Sequence, residues 1–176
     1  VNLLVSEDLG NVSTNEVLRV LAPRGVAYVK KIDKWIKTVK PWPNDIDEWT
    51  HWLHSPDGNA VARDKVVGPP RQLQWTAKPL WSRHHNTVPS VSALVSSHGR
   101  LFTICDEAPP GLEGTLPDKW FLVARDAFNG VPLWKRPILE WGWRQWNTEW
   151  LGRFGMPMEL PKRLVADGDR LFATLS

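Results

Sequence analysis

Hydrophobic and polar positions along this chain fall into two patterns: a strand, helix, strand succession at the start, and short apolar runs separated by turn residues from residue 91 onward. Val1-Asn2-Leu3-Leu4-Val5 is an apolar run of the kind found in a strand buried on both faces of a parallel sheet. Ser13-Thr14-Asn15 stand as cap residues ahead of Glu16-Val17-Leu18-Arg19-Val20-Leu21, which predicts a helix ended by Ala22-Pro23-Arg24-Gly25. Val26-Ala27-Tyr28-Val29 returns as a strand, so residues 1–32 predict a βαβ unit. Farther on, Phe121 to Ala124 and the run carrying Trp134 flank the turn sequence Asp126-Ala127-Phe128-Asn129-Gly130. Asn129-Gly130 tolerates positive φ at both centres of a tight turn, so these two runs are expected to pair as an antiparallel hairpin.

A second pattern is internal. Leu94 to Phe102 lines up with Leu164 to Phe172 at a constant offset of 70 residues, both copies reading Leu-Val, a glycine-bearing turn and Arg-Leu-Phe. The offset exceeds the roughly 40 to 50 residues of a four-stranded propeller unit, so insertions are expected between the copies. Two stretches supply them, the Pro/Gly-rich Ala108 to Lys119 and the Trp-rich Glu140 to Pro161.

Ala124, Asp126, Gly130 and Trp134, with Asn129 in place of the usual Thr, resemble the AxDxxTGxxxW repeat of pyrroloquinoline quinone (PQQ)-like, quinoprotein-type β-propellers. In that family the Trp packs between neighbouring blades and the Asp and Gly shape the turn. The resemblance implies a mainly β fold, a partial β-propeller of four-stranded antiparallel blades over residues 68–176. Arg71 to Thr76 is expected as an edge or closing strand, with Trp75 in a place like that of Trp134. A closed ring takes four to eight blades, and only one blade with pieces of two others fits here, so a fragment of a longer protein is expected.

Residues 16–26, Glu-Val-Leu-Arg-Val-Leu-Ala-Pro-Arg-Gly-Val, resemble the late segment of class I S-adenosylmethionine (SAM) methyltransferases, where an "LxPGG" turn leads into the fifth strand and Arg24 replaces a Gly. This implies that residues 1–32 are a short βαβ remnant of a Rossmann-like domain. The family's glycine-rich SAM-binding loop is absent from the chain, so SAM is not expected to bind. Glu7 and Asp8 at a strand exit read as a solvated pair.

Residues 33–67 read as a connector with a short helix at Asp45 to His54. That helix would put Asp47, His51 and His54 on one stripe, a weak metal candidate without an HExxH pattern or Cys pair; the alternative has the histidines rimming a buried contact made by Trp49, Trp52 and Leu53. Lys30, Lys31, Lys34, Lys37 and Lys40 interleave with Trp35 and Trp42, but carboxylates follow at once and the formal charge is only +3. A solvated face is expected, and nucleic acid is not the expected partner.

Arg83, His84, His85 and Asn86, in a loop feeding the strand at Val91, are the candidate ligand-binding residues, with Asp106 and Glu107 as a second polar pair. The calcium ligands and stacking walls of a PQQ site cannot be placed, and no catalytic residue is assigned. The 12 tryptophans, several of them at Trp141, Trp143, Trp146 and Trp150, suit interblade packing, with glycan binding as an alternative. No apolar run approaches the roughly 20 residues of a membrane helix. Cys105, being alone, says nothing of compartment; resemblance alone points to the periplasm or the cell exterior of a bacterium. The expected function is a noncatalytic binding or assembly scaffold, partnered by the remainder of a propeller or another protein chain. A PQQ-dependent oxidoreductase, part of a SAM-dependent methyltransferase and a glycan-binding module are the alternatives.

Overall fold

The structure, a computed structural model, describes residues 1–66, 68–69, 71–80, 90–109, 117–141 and 160–175. It is mainly β, with one α-helix among the described residues. The chain divides into two compact units, the first built from Val1–Ile46 with residues 64–66 and the second from Asp47–Arg63 and the described residues beyond 67.

In the first unit β1 (Leu3–Ser6) runs parallel to β2 (Val26–Lys31), which turns back into antiparallel β3 (Lys34–Val39). Helix α1 (Thr14–Val20) starts at Ser13, whose hydroxyl accepts from the Glu16 amide at 3.2 Å. Its apolar side, Val17 and Leu21, packs on Ala27, Leu4 and Val29. Only that face is covered: Leu3 and Val5 are each 59% exposed, so β1 is not the doubly buried strand its sequence suggests. β3 also corrects the connector reading. Lysines at 34 and 37 break the apolar alternation, and the turn carries Ile32 at φ 54° rather than a glycine, so neither strand nor turn announces itself.

Arg24 sits at φ 62°, in the left-handed region where the resembled turn has glycine, and its guanidinium lies 5.7 Å from the Trp42 ring. Left-handed backbone costs a side-chain-bearing residue about 1–2 kcal/mol. Arg24→Gly is therefore expected to be about 1 kcal/mol more stable than Arg24→Ala in urea melts, since both lose the ring contact and only glycine relieves the backbone.

The second unit is built on an antiparallel meander, β4 (Val91–Ser97), β5 (Arg100–Asp106), β6 (Trp120–Asp126) and β7 (Pro132–Ile138). A separate hairpin, β8 (Leu164–Asp167) and β9 (Arg170–Ala173), follows a 3-10 turn at Pro161–Arg163. Alternation sorts the meander into two faces. Ala93, Val95, Phe102, Ile104, Leu122 and Ala124 form one, and Leu164, Ala166, Leu171 and Ala173 of the hairpin pack against it. The 70-residue repeat is kept in the register, Ser97 opposite Arg100 in one copy and Asp167 opposite Arg170 in the other.

The expected hairpin at 121–136 forms, but its turn differs. Gly130 takes φ 72° while Asn129 does not enter the positive region. The turn is closed instead by Asp126, whose Oδ1 accepts from the Phe128 and Asn129 amides at 2.9 and 3.0 Å, and by Asn129 Oδ1 accepting from the Val131 amide. Ala124 lies opposite Trp134, whose ring is 6.1 Å from Phe102. All four motif residues thus shape the sheet.

Two further expectations are corrected. Arg71–Thr76 forms no strand; Trp75 instead lays its ring over Gly130 and donates from Nε1 to the Ala127 carbonyl at 2.9 Å. Asp45–His54 forms no helix, because successive carbonyls there turn outward to other partners. The Trp49 carbonyl accepts from the Ser96 amide on β4, and the Thr50 carbonyl from the Ala166 amide on β8. Ser96 and Ala166 are repeat equivalents, so one extended segment clasps the edge of both copies.

Candidate functional site

The densest polar arrangement in the described residues lies on and around that clasping segment, at the turn ends of the two hairpins. Asp47 Oδ2 accepts from the Arg63 amide at 2.5 Å and from His54 Nε2 at 2.6 Å, while Oδ1 accepts from the Glu48 amide at 2.9 Å. Burial opposes ionisation of Asp47, but these hydrogen bonds outweigh it and hold the carboxyl below its ordinary range. His54 is 3% exposed, at φ 72°, with the edge of Trp49 5.3 Å away. Because an ionised carboxylate only accepts, Nε2 carries the shared proton. Among the described residues, His54 Nδ1 is buried without a hydrogen-bond partner.

Glu48 faces the other way. Its carboxylate accepts from the His98 amide and the Ser97 hydroxyl, fixing the β4–β5 turn. Ser97 Oγ and Arg100 Nη2 each donate to the Gly168 carbonyl at 3.1 Å, and Arg100 also pairs with Asp169, which lowers that carboxyl. The turns of the two repeat copies are thereby tied together by hydrogen bonds across their interface.

Beside this cluster opens a cavity of about 340 Å³ lined by His51, Trp52, Pro56 and Lys162 among others, with the Lys162 ammonium 5.7 Å from the Trp52 ring. His51 Nδ1 is engaged by the Thr50 hydroxyl at 2.9 Å. An indole face, an ammonium and an imidazole around a small cavity are groups that bind.

The metal candidate therefore separates. Asp47 and His54 meet through a turn rather than a helical stripe, while His51 turns to Thr50, and among the described residues no group of three or more His, Cys, Asp or Glu is placed to hold a metal ion. Arg83, His84, His85 and Asn86 lie outside the described residues, as do Trp143, Trp146 and Trp150. Trp141 is 3% exposed and donates to Ser92 Oγ at 2.7 Å, which makes it a core residue rather than a sugar platform. Asp106 Oδ1 accepts from the Ala108 and Lys119 amides, closing the ends of a loop, and Glu107 pairs with Lys135. Burial, with Glu107 nearby, pushes the Cys105 thiol up, so it stays protonated and unreactive at neutral pH.

Sequence reasoning missed Glu48, Arg100 and Asp169. The repeat itself held the signal for the last two: a cationic residue after one turn and an acidic residue within the next can meet only if the copies stack.

A pH prediction follows from Asp47. A carboxyl depressed on folding adds stability that is present above its unfolded pKa, near ~4, and is lost as pH falls through the folded value. Asp47→Asn is expected to cost about 1–3 kcal/mol at neutral pH, leaving the buried imidazole with a poorer partner. Denaturant melts from pH 7 downward should show the gap to wild type narrowing below about pH 4.

The described helices include none long and apolar enough to cross a membrane. No protein-family model, no curated protein and no solved structure matches the chain.

Proposed function

We propose that this chain is part of a bacterial PQQ-like β-propeller protein, periplasmic or extracellular, whose blades act as a binding or assembly scaffold rather than as a catalyst, with residues 1–32 as the tail of a methyltransferase-like domain. The observation that carries this reading is the stacking of two sequence-equivalent hairpins in one register, β8–β9 on the apolar face of β4–β7. Such stacking is how radially repeated sheets bury their faces. The polar groups support a scaffold because they are consumed in holding it: Glu48, Asp106 and Asp126 accept from backbone amides, and Arg100 joins two turns. The described residues do not fit a quinone with its calcium, since these carboxylates are spread over separate turns and no three converge.

Protein mixed with PQQ and calcium is expected to give only background dye reduction on alcohols and sugars. Turnover above background would replace this reading with the oxidoreductase one. Calorimetric titration with SAM should be silent, and micromolar binding would restore the methyltransferase alternative.

A further inference from the structure

Asn129 is the one asparagine in the chain that is followed by glycine. That pair carries chemistry of its own, since a glycine has no β-carbon to keep its backbone nitrogen from the neighbouring side-chain amide. Attack of the Gly130 nitrogen on the Asn129 amide carbon forms an N–C bond and releases ammonia, which gives a cyclic imide. Water then opens the ring at either carbonyl, leaving an aspartate or an isoaspartyl link. Both products carry a new carboxylate, and the isoaspartyl form lengthens the main chain by one carbon.

The fold withholds the nucleophile. Asn129 is exposed, but Gly130 is buried at φ 72°. The Gly130 N–H donates to the Asp126 carbonyl at 2.9 Å, and that bond must break before the nitrogen can shed its proton and turn toward the amide carbon. The Gly130 carbonyl accepts from Arg125 Nη1 at 3.1 Å, and Arg125 Nη2 donates to the Lys78 carbonyl at 2.6 Å, so the peptides on both sides of the glycine are held. Above it lies the Trp75 ring, so close that a β-carbon on Gly130 would meet it at 2.4 Å, anchored by the Nε1 hydrogen bond to the Ala127 carbonyl. On the other side of the reaction, Asn129 Oδ1 accepts from the Val131 amide at 2.9 Å, which pins the amide group in the turn. Two of these restraints, the indole and the Lys78 carbonyl, come from a segment remote in sequence.

We propose that Asn129 is a site of spontaneous deamidation gated by the fold, its rate set by how often the Trp75–Lys78 segment lifts from the turn. Local opening frees a backbone amide without unfolding the whole unit, and a reaction confined to the open form runs at the open fraction of its free rate. The product holds the turn open. Its carboxylate shares the turn with that of Asp126, and an isoaspartyl link carries Gly130 out from under the indole. The modification therefore records, irreversibly, that the segment has left its seat.

Incubation of the whole chain at mildly alkaline pH, followed by digestion and mass spectrometry of the peptide that carries Asn129, tests it through the mass gain of an amide-to-acid change. Folded wild type is expected to convert at Asn129 at least about tenfold more slowly than the same chain in guanidinium chloride. Trp75→Ala, with the sheet signal in circular dichroism intact, should convert several times faster than wild type. Trp75→Phe keeps a ring over the glycine but loses the hydrogen bond to the Ala127 carbonyl, and should fall between the two. Hydrogen exchange at the Gly130 amide should rank the three proteins in the same order. Equal rates in the folded and the unfolded chain overturn the gate, and so does a folded Trp75→Ala that converts no faster than wild type. Where the alanine variant fails to fold, Trp75→Phe against wild type decides alone, equal rates again overturning the gate.

Discussion

Phe102→Ala is expected to destabilise the second unit by about 3–5 kcal/mol, while Phe172→Ala, the same change at the repeat-equivalent position, stays within about 0.5 kcal/mol. Sequence offers no reason for the difference, as both phenylalanines follow Arg-Leu at the same point after a glycine-bearing turn. Burial supplies it. Phe102 sits in the cluster shared with Leu122, Ala124 and Leu164, with the Trp134 ring 6.1 Å away, so truncation opens a cavity that a packed interface between two β layers collapses poorly. Phe172 is half in solvent and leaves no cavity behind. Chemical denaturation of the two variants measures the contrast directly. Equal losses would mean that the hairpin does not stack on the meander as described.

Gly130→Ala is the second large effect, at about 2–5 kcal/mol. Two costs add: a left-handed φ of 72° that a β-carbon disfavours by about 1–2 kcal/mol, and overpacking by about 1–3 kcal/mol. The overpacking is specific. A β-carbon at Gly130 would lie 2.4 Å from Trp75 Cε3, closer than any real contact, so the indole must leave its seat and its hydrogen bond to the Ala127 carbonyl. The double variant Trp75→Ala with Gly130→Ala separates the two costs, since without the ring only the backbone penalty of about 1–2 kcal/mol should remain for the glycine. Strict additivity of the two single losses would show that the ring does not rest on this turn. The near-UV signal of the tryptophans gives an independent readout of whether Trp75 has been displaced.

Much of the second unit was legible because local chemistry and tertiary packing agree there. Ala124, Asp126, Gly130 and Trp134 each do a local job: a small residue opposite a large ring, a carboxylate capping amides, and a glycine at positive φ. The Leu94 and Leu164 copies were legible because an offset of 70 can be counted without knowing any contact. The failures are just as local. Lys34–Val39 alternates poorly and turns through Ile32, so the strand forms because the open edge of β2 supplies its hydrogen bonds, not because the residues ask for it. Asp45 to His54 carries helical spacing, yet the edges of β4 and β8 offer the Trp49 and Thr50 carbonyls partners that a helix would forbid. The candidate site was hidden for the same reason. Glu48 lies about 50 residues from the His98 amide that it caps, and Arg100 69 residues from Asp169.

The order of the residues alone settled the hairpin over 121–136 and that one strand, turn, strand pattern occurs twice, because hydrogen-bond reach and side-chain alternation act over a few residues. Which face of each copy is covered, and which stays open, was decided only in three dimensions. Two identical side chains can be told apart only by what the rest of the molecule places on top of them.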